Sequence, residues 1–111
     1  MKTCVISLLI FLVACSANDV PPAGLLERER FKEVLLEAQL IEARVNHELV
    51  VEHSSAVPTQ RYYEELFEKE GVSQEQFEAT YRYYSARPEQ LRLIYDEIVT
   101  ELSVRKDAPM P

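Results

Sequence analysis

The chain has 111 residues, a formal net charge of −7, two cysteines and no tryptophan. That length allows one domain with a modest core. Its acidity argues against nucleic acid as a partner, because attraction to phosphates needs clustered Lys and Arg, and no basic patch marks a head-group site.

Met1-Lys2-Thr3 is a short positive start, followed by an apolar run from Cys4 to Ala14. The run falls short of the ~20 residues a membrane-spanning helix needs and suits the core of a signal peptide. It ends Leu12-Val13-Ala14-Cys15, which looks like a bacterial lipobox. Residues 1–14 are therefore expected to be removed and Cys15 to become the lipidated first residue, attaching the protein to a membrane. An ordinary secretory site that happens to lie near a cysteine is the plainer alternative. Burial is worth ~0.8 kcal/mol per acyl CH₂, so one chain anchors marginally and several anchor stably. Cys4 leaves with the signal and Cys15 carries lipid, which excludes a disulfide, a thiolate nucleophile and a thiolate metal site in the mature chain.

Residues 15–24 read as the lipidated cysteine and a tether, with Pro21-Pro22 favouring an extended path. From about Leu25 to Glu52 comes the longest helical pattern. Phe31, Val34, Leu35, Ala38, Ile41, Val45 and Leu49 form one apolar stripe. Leu36, Leu40, Ala43 and His47 form a second ridge on nearly the opposite side. A helix apolar on two sides is either sandwiched within its own bundle or offers one side to a partner.

His53 to Pro58 is small, polar and proline-ended, hence a loop. Thr59 is expected to cap a helix over about Gln60 to Glu70, with Tyr62, Tyr63, Leu66 and Phe67 on its apolar face. Glu65 with Lys69, and Glu78 with Arg82, are favourable i,i+4 pairs. Gly71 supplies the left-handed C-cap that a residue without Cβ adopts freely. Ser73 and Gln76 have capping-box spacing, and Val72 and Phe77 that of a hydrophobic staple.

Phe77, Tyr81 and Tyr84 then make an aromatic face. Pro88 suits the first position of a new helix, Glu89 its positive dipole end, and Leu91, Ile94, Tyr95, Ile98 and Leu102 its apolar stripe. Periodicity stops after Leu102, so 25–104 is the expected helical domain and 105–111 a frayed tail. No stretch alternates at period two and no internal repeat is evident. The expected fold is all-α, a small bundle of three to four helices behind a cleaved signal peptide.

The chemistry-bearing residues are sparse. His47 and His53 lie near a helix end, but a zinc-protease helix needs histidines at i and i+4. Six apart, with Val51 between them, they fall on different faces and read as solvated. Glu29, Glu33, Glu37, Glu97 and Glu101 sit outside the apolar stripes, as solvated faces do, rather than in a cleft that would tune an acid or base. Gly24 and Gly71 stand alone, so there is no phosphate-binding loop, and no serine sits in a nucleophile elbow. Neither catalysis, a metal nor a cofactor is expected. Tyr81, Tyr84 and Tyr95 belong on core faces, whereas Tyr83 lies off its stripe. Tyr83 together with Leu36, Leu40, Ala43 and His47 is the candidate contact surface, since tyrosine buries well while its hydroxyl keeps a partner.

The run GVSQEQFEATYRYYSARPEQLRLIYDEIVTEL, through Gly71, Val72, Ser73, Glu75, Phe77, Thr80, Tyr83, Tyr84, Pro88, Tyr95, Asp96 and Ile98, resembles small Bacteroidota lipoproteins of the DUF4296 type. That family is a domain of unknown function, so the resemblance implies a lipid-anchored helical protein and carries no catalytic residues. Surface-export tags of such lipoproteins hold an acidic cluster beside the cysteine. Here only Asp19 lies close, so the outer membrane facing the periplasm is the expected location. The expected role is a non-enzymatic accessory or interaction module that binds another envelope protein. The alternative is a small-ligand or lipid-binding module, with an enclosed apolar pocket between the aromatic faces of the second and third helices.

Overall fold

A computed structural model describes residues 21–107, and the expected signal peptide and Cys15 lie outside that range. Among the described residues there are four helices and no strand. They are α1 (Arg28–Val50), α2 (Thr59–Glu70), α3 (Gln74–Ser85) and α4 (Pro88–Asp107). The all-α bundle expected from periodicity is what forms.

Local backbone chemistry sets most boundaries. Gly71 closes α2 with φ 66° and ψ 32°, its amide donating to the Phe67 and Glu68 carbonyls. The Val72 amide donates to Phe67 at 3.1 Å, so the helix's orphan carbonyls are satisfied. Ser73 Oγ accepts from the Gln76 amide at 3.1 Å, and the Ser73 amide donates to Gln76 Oε1 at 3.2 Å, completing the capping box. Pro88 opens α4, where its missing N–H leaves nothing unsatisfied. The expected Thr59 cap does not form. Pro58 takes the cap position, and Thr59 is already helical with its amide donating to Val57.

α1 is the central element. α2 runs antiparallel along one side of it, tied by Arg30 to Glu70 near one end and by Glu48 to Tyr62 near the other. α4 runs parallel to α1, with Arg28 bound to Glu97 and Glu37 to Arg105. The core has two parts. Leu26, Phe31, Leu35, Leu36, Tyr84, Ile94 and Ile98 join α1, α3 and α4, while Val34, Ala38 and Leu66 join α1 to α2. Val72 and Phe77 pack against both parts, so the staple residues are also the bridge between them. Each fully buried aliphatic or aromatic side chain contributes about 1.5–3 kcal/mol of transfer free energy. Phe31 sits at the centre, stacked on Tyr84 with ring centroids 5.0 Å apart and planes 9° from parallel.

The segment before α1 is pinned by one side chain. Thr80, fully buried, accepts from the Leu26 amide at 3.0 Å and donates to the Gln76 carbonyl at 2.6 Å. One hydroxyl thus satisfies a donor that would otherwise be buried without a partner.

Four expectations need correction. Leu36 is 1 % exposed, because α4 lays Ile94 and Ile98 over the start of the second ridge. Tyr81 is 38 % exposed, since it meets Phe31 edge-on at the rim of the core and lines a surface depression along α3. Leu49, placed on the core stripe, lies beyond the Glu48–Tyr62 contact and is half exposed. Finally, α4 continues past Leu102 to Asp107, with Arg105 bound to both Glu101 and Glu37. Among the charge pairs, Glu65 bonds Arg61 instead of Lys69, and Glu78 accepts from Gln74 instead of Arg82.

Candidate functional site

The five residues expected to form a contact surface do not come together as one. Leu36 is inside the core. Tyr83 is half buried against it, edge-on to Tyr84, with the Arg87 guanidinium 3.7 Å above its ring and donating to its carbonyl at 3.0 Å. Arg87 therefore occupies the face Tyr83 was to offer. Leu40 (39 % exposed), Ala43 and His47 remain as a strip on α1. His47 Nε2 lies 3.6 Å from a Glu52 carboxylate oxygen, and His53 turns away with φ 53°. Among the described residues no group of three or more His, Cys, Asp or Glu could hold a metal ion.

A different surface is better built. Between α2 and α3 lies a cleft of ≈ 270 Å³, walled by Gln60, Tyr63, Glu64 and Phe67 from one helix and by Gln74, Phe77 and Glu78 from the other. A second depression of ≈ 360 Å³ continues past Phe77 and Glu78 to Tyr81 and Arg82. Its floor is a chain of rings. Tyr63 and Phe67 are 6.1 Å apart, Phe67 and Phe77 5.5 Å, and Phe77 and Tyr81 6.5 Å, with Phe31 beneath Phe77 at 5.7 Å. Such tilted contacts between rings add about 0.5–1.5 kcal/mol per pair beyond burial.

The outer rings are fixed from behind. The Tyr63 hydroxyl donates to Glu42 of α1. Burial, with that carboxylate as acceptor, drives Tyr63 well above the usual phenol range. Across the cleft, burial and the neighbouring Tyr81 hydroxyl push Tyr95 of α4 up to about 12. Both ends of the aromatic floor therefore arrive positioned by helices outside the cleft.

The α1–α2 groove also holds a depression, of ≈ 280 Å³, which Leu40 and Ile41 line together with Tyr62 and Leu66, but the polar groups at its Arg44 end are committed to one another. Glu48 accepts from Arg44 at 2.9 Å and from Tyr62 at 2.9 and 3.0 Å, while the Arg44 guanidinium lies 3.9 Å over the Tyr62 ring. The Arg44 bond, supported by Tyr62, holds the Glu48 carboxyl below its ordinary range, and burial with the Glu48 bond raises Tyr62. This is a structural clasp.

The alternative reading expected an enclosed apolar pocket between the aromatic faces of the second and third helices, and the structure has an open cleft there. A signal for its paired walls was present in the sequence. Gln60, Tyr63, Glu64 and Phe67 stand in the same register as Gln74, Phe77, Glu78 and Tyr81. The two stretches flank the Gly71 turn and line the cleft from opposite sides, each with its glutamine donating to its glutamate, at 3.1 and 2.9 Å.

Together these features define a small four-helix protein with an open, aromatic-floored cleft between its two middle helices. The family described as Domain of unknown function (DUF4296) matches residues 22–108, and the chain belongs to that family. The match takes in all four helices and the Leu26 docking segment. Comparison with curated proteins and with solved structures gave no match. No described helix is long and apolar enough to cross a membrane.

Proposed function

We propose that this protein is a lipid-anchored envelope lipoprotein, held at Cys15 on the periplasmic face of the outer membrane, and that it acts as a non-enzymatic docking module for another envelope protein. The observation that carries the docking role is the α2–α3 cleft, where Phe67 and Phe77 meet at 5.5 Å as a floor and the flanking rings Tyr63 and Tyr81 stay partly exposed. Its shape favours docking over the ligand-binding alternative. Small-molecule sites usually bury most of the ligand, whereas this cleft opens along one side and runs on into a second surface depression. An inserted side-chain row suits such a shape better than an engulfed ligand.

The test is a photocrosslinker placed at Gln74 on the cleft wall and, as control, at Glu89, in cells of the native host. Docking predicts one covalent adduct of defined mass from Gln74 and none from Glu89. Fractionation of the Cys15→Ser variant addresses anchoring, with release from the membrane as the expected outcome. Absence of a Gln74 adduct would overturn the docking role, and membrane retention of the serine variant would overturn the anchor.

A further inference from the structure

We infer that the occupant of the α2–α3 cleft is an amphipathic helix of a partner protein that carries lysine or arginine on its flank. The inference rests on the docking role above and adds the chemistry of what docks. Shape comes first. Each wall offers two rings one helical turn apart, at 6.1 and 6.5 Å, and Phe67 and Phe77 meet at 5.5 Å on the floor. A partner helix therefore lies over the cleft and only its side chains enter, one turn apart, as helix-in-groove recognition places its i, i+3, i+4 and i+7 anchors.

Charge sets the sign. Glu64 and Glu78 flank the rings from opposite walls, and each is held only by the neutral amide of its own Gln60 or Gln74. Among the described residues neither forms an ion pair. Many carboxylates elsewhere on the bundle do, such as Glu29 with Lys32, Glu48 with Arg44, Glu97 with Arg28 and Glu101 with Arg105. What distinguishes Glu64 and Glu78 is that they face each other across an apolar cleft. The ≈ 270 Å³ cleft has no cation on its walls. Arg82 lies farther out, in the adjoining depression. A cationic turn seated between Glu64 and Glu78 meets two carboxylates and the faces of aromatic rings, both of which attract it. Arg82 then favours a neutral or acidic residue at the other end, which gives the bound helix a direction.

The probe is a short synthetic leucine/lysine amphipathic helix, fluorescein-labelled, with a leucine/glutamate helix as its opposite. Anisotropy is read with the full-length chain in non-ionic detergent, and empty micelles serve as the blank. The lysine helix is expected to bind and the glutamate helix not. E64Q/E78Q should weaken binding roughly fivefold, the scale of two rim ion pairs. E52Q/E89Q, which removes two acids elsewhere, should leave binding within about twofold. The reversal E64K/E78K should abolish lysine-helix binding and admit the glutamate helix, which also shows that the variant is folded. Equal losses in both glutamine pairs, or no reversal, would overturn the inference by reducing it to bulk acidity. Sedimentation showing a dimer that E64K/E78K splits would overturn it in favour of a second copy. If Gln74 crosslinks to a partner while the lysine helix fails to bind, the occupant's chemistry is wrong and the docking role stands. If both fail, both fall.

Discussion

Replacing Thr80 by valine removes one oxygen and keeps the shape. In the native fold that oxygen is the acceptor for the Leu26 amide at 3.0 Å, inside a residue with no solvent exposure. The Gln76 carbonyl loses little, because a mid-helix carbonyl keeps its own i+4 amide. What remains is a buried donor without a partner, which costs about 1–3 kcal/mol. Valine's helix propensity is close to threonine's, so that contribution nearly cancels. With a urea slope near ~1 kcal/mol/M for a domain this small, the midpoint should fall by about 2 M. Thr80→Ser keeps the oxygen and deletes a methyl, at about 1 kcal/mol. The ranking wild type, serine, valine is therefore the specific expectation. Hydrogen exchange gives a direct reading, since the Leu26 amide should lose protection in the valine variant and keep it in the serine one. A valine variant within ~0.5 kcal/mol of wild type would refute the reasoning, because no pinning bond would then exist.

Three further outcomes are expected. Gly71→Ala meets open space, since an added Cβ has nothing within 4 Å. The left-handed φ alone should cost about 1–2 kcal/mol in a urea melt, and no loss would mean that the turn relaxes. Glu48→Gln should destabilise the protein at neutral pH, and the difference should shrink as pH falls through and below the carboxylate range. The carboxyl's lowered pKa contributes stability above the ordinary carboxylate value, and that is lost as pH falls through the folded one. Tyr95 works with the opposite sign. Its folded pKa is raised from 10.0 to about 12, so its contribution is complete below 10.0 and disappears as pH rises toward 12. Phenolate absorbance should show a late-titrating tyrosine that Tyr95→Phe removes, and an unchanged curve would argue against the buried placement.

Features encoded by a few neighbouring residues were legible in the sequence. Gly71, the Ser73–Gln76 box and Pro88 act through backbone conformation and hydrogen bonds within one turn, so no distant contact can override them easily. The contact surface was not legible, for reasons of length and angle. Leu36 and Leu40 lie on one ridge of α1 with the same periodicity, yet α4 covers the first and leaves the second partly bare. Tyr81 and Tyr84 share the aromatic side of α3 and both touch Phe31, but Tyr84 stacks flat on it within the three-helix core, while Tyr81 meets it edge-on from the rim and stays 38 % exposed. A hydrophobic stripe says which face is apolar and leaves open how far the neighbouring helix follows it. Glu65 likewise had cations four residues away on both sides, and local spacing could not choose Arg61 over Lys69.

The position of Thr80 joins the proposed anchor to the proposed docking surface. Thr80 stands on α3, one turn from Phe77 and adjacent to Tyr81, and it receives the amide of Leu26, the first buried residue after the tether. If lipid holds the chain at Cys15, the intervening residues at no more than ~3.6 Å each place Leu26 within about 40 Å of the membrane surface. Of the two cleft walls, α3 is then the one bonded directly to the segment that leads to the anchor, while α1 follows that segment in the chain. α2, which forms the other wall, packs on α1 and is joined to α3 through the Gly71 turn. A partner helix seated over the cleft would press against one wall bonded to the tether segment and one held to it through α1. Loss of the Leu26–Thr80 bond should therefore weaken docking as well as stability. Thr80→Val is expected to lower Gln74 crosslinking even at a temperature where its helical content matches wild type, whereas Gly71→Ala, which strains the opposite end of the α3 wall, tests whether any destabilisation suffices. Equal crosslinking losses in the two variants at matched stability would show that the tether contributes nothing beyond holding the protein at the membrane.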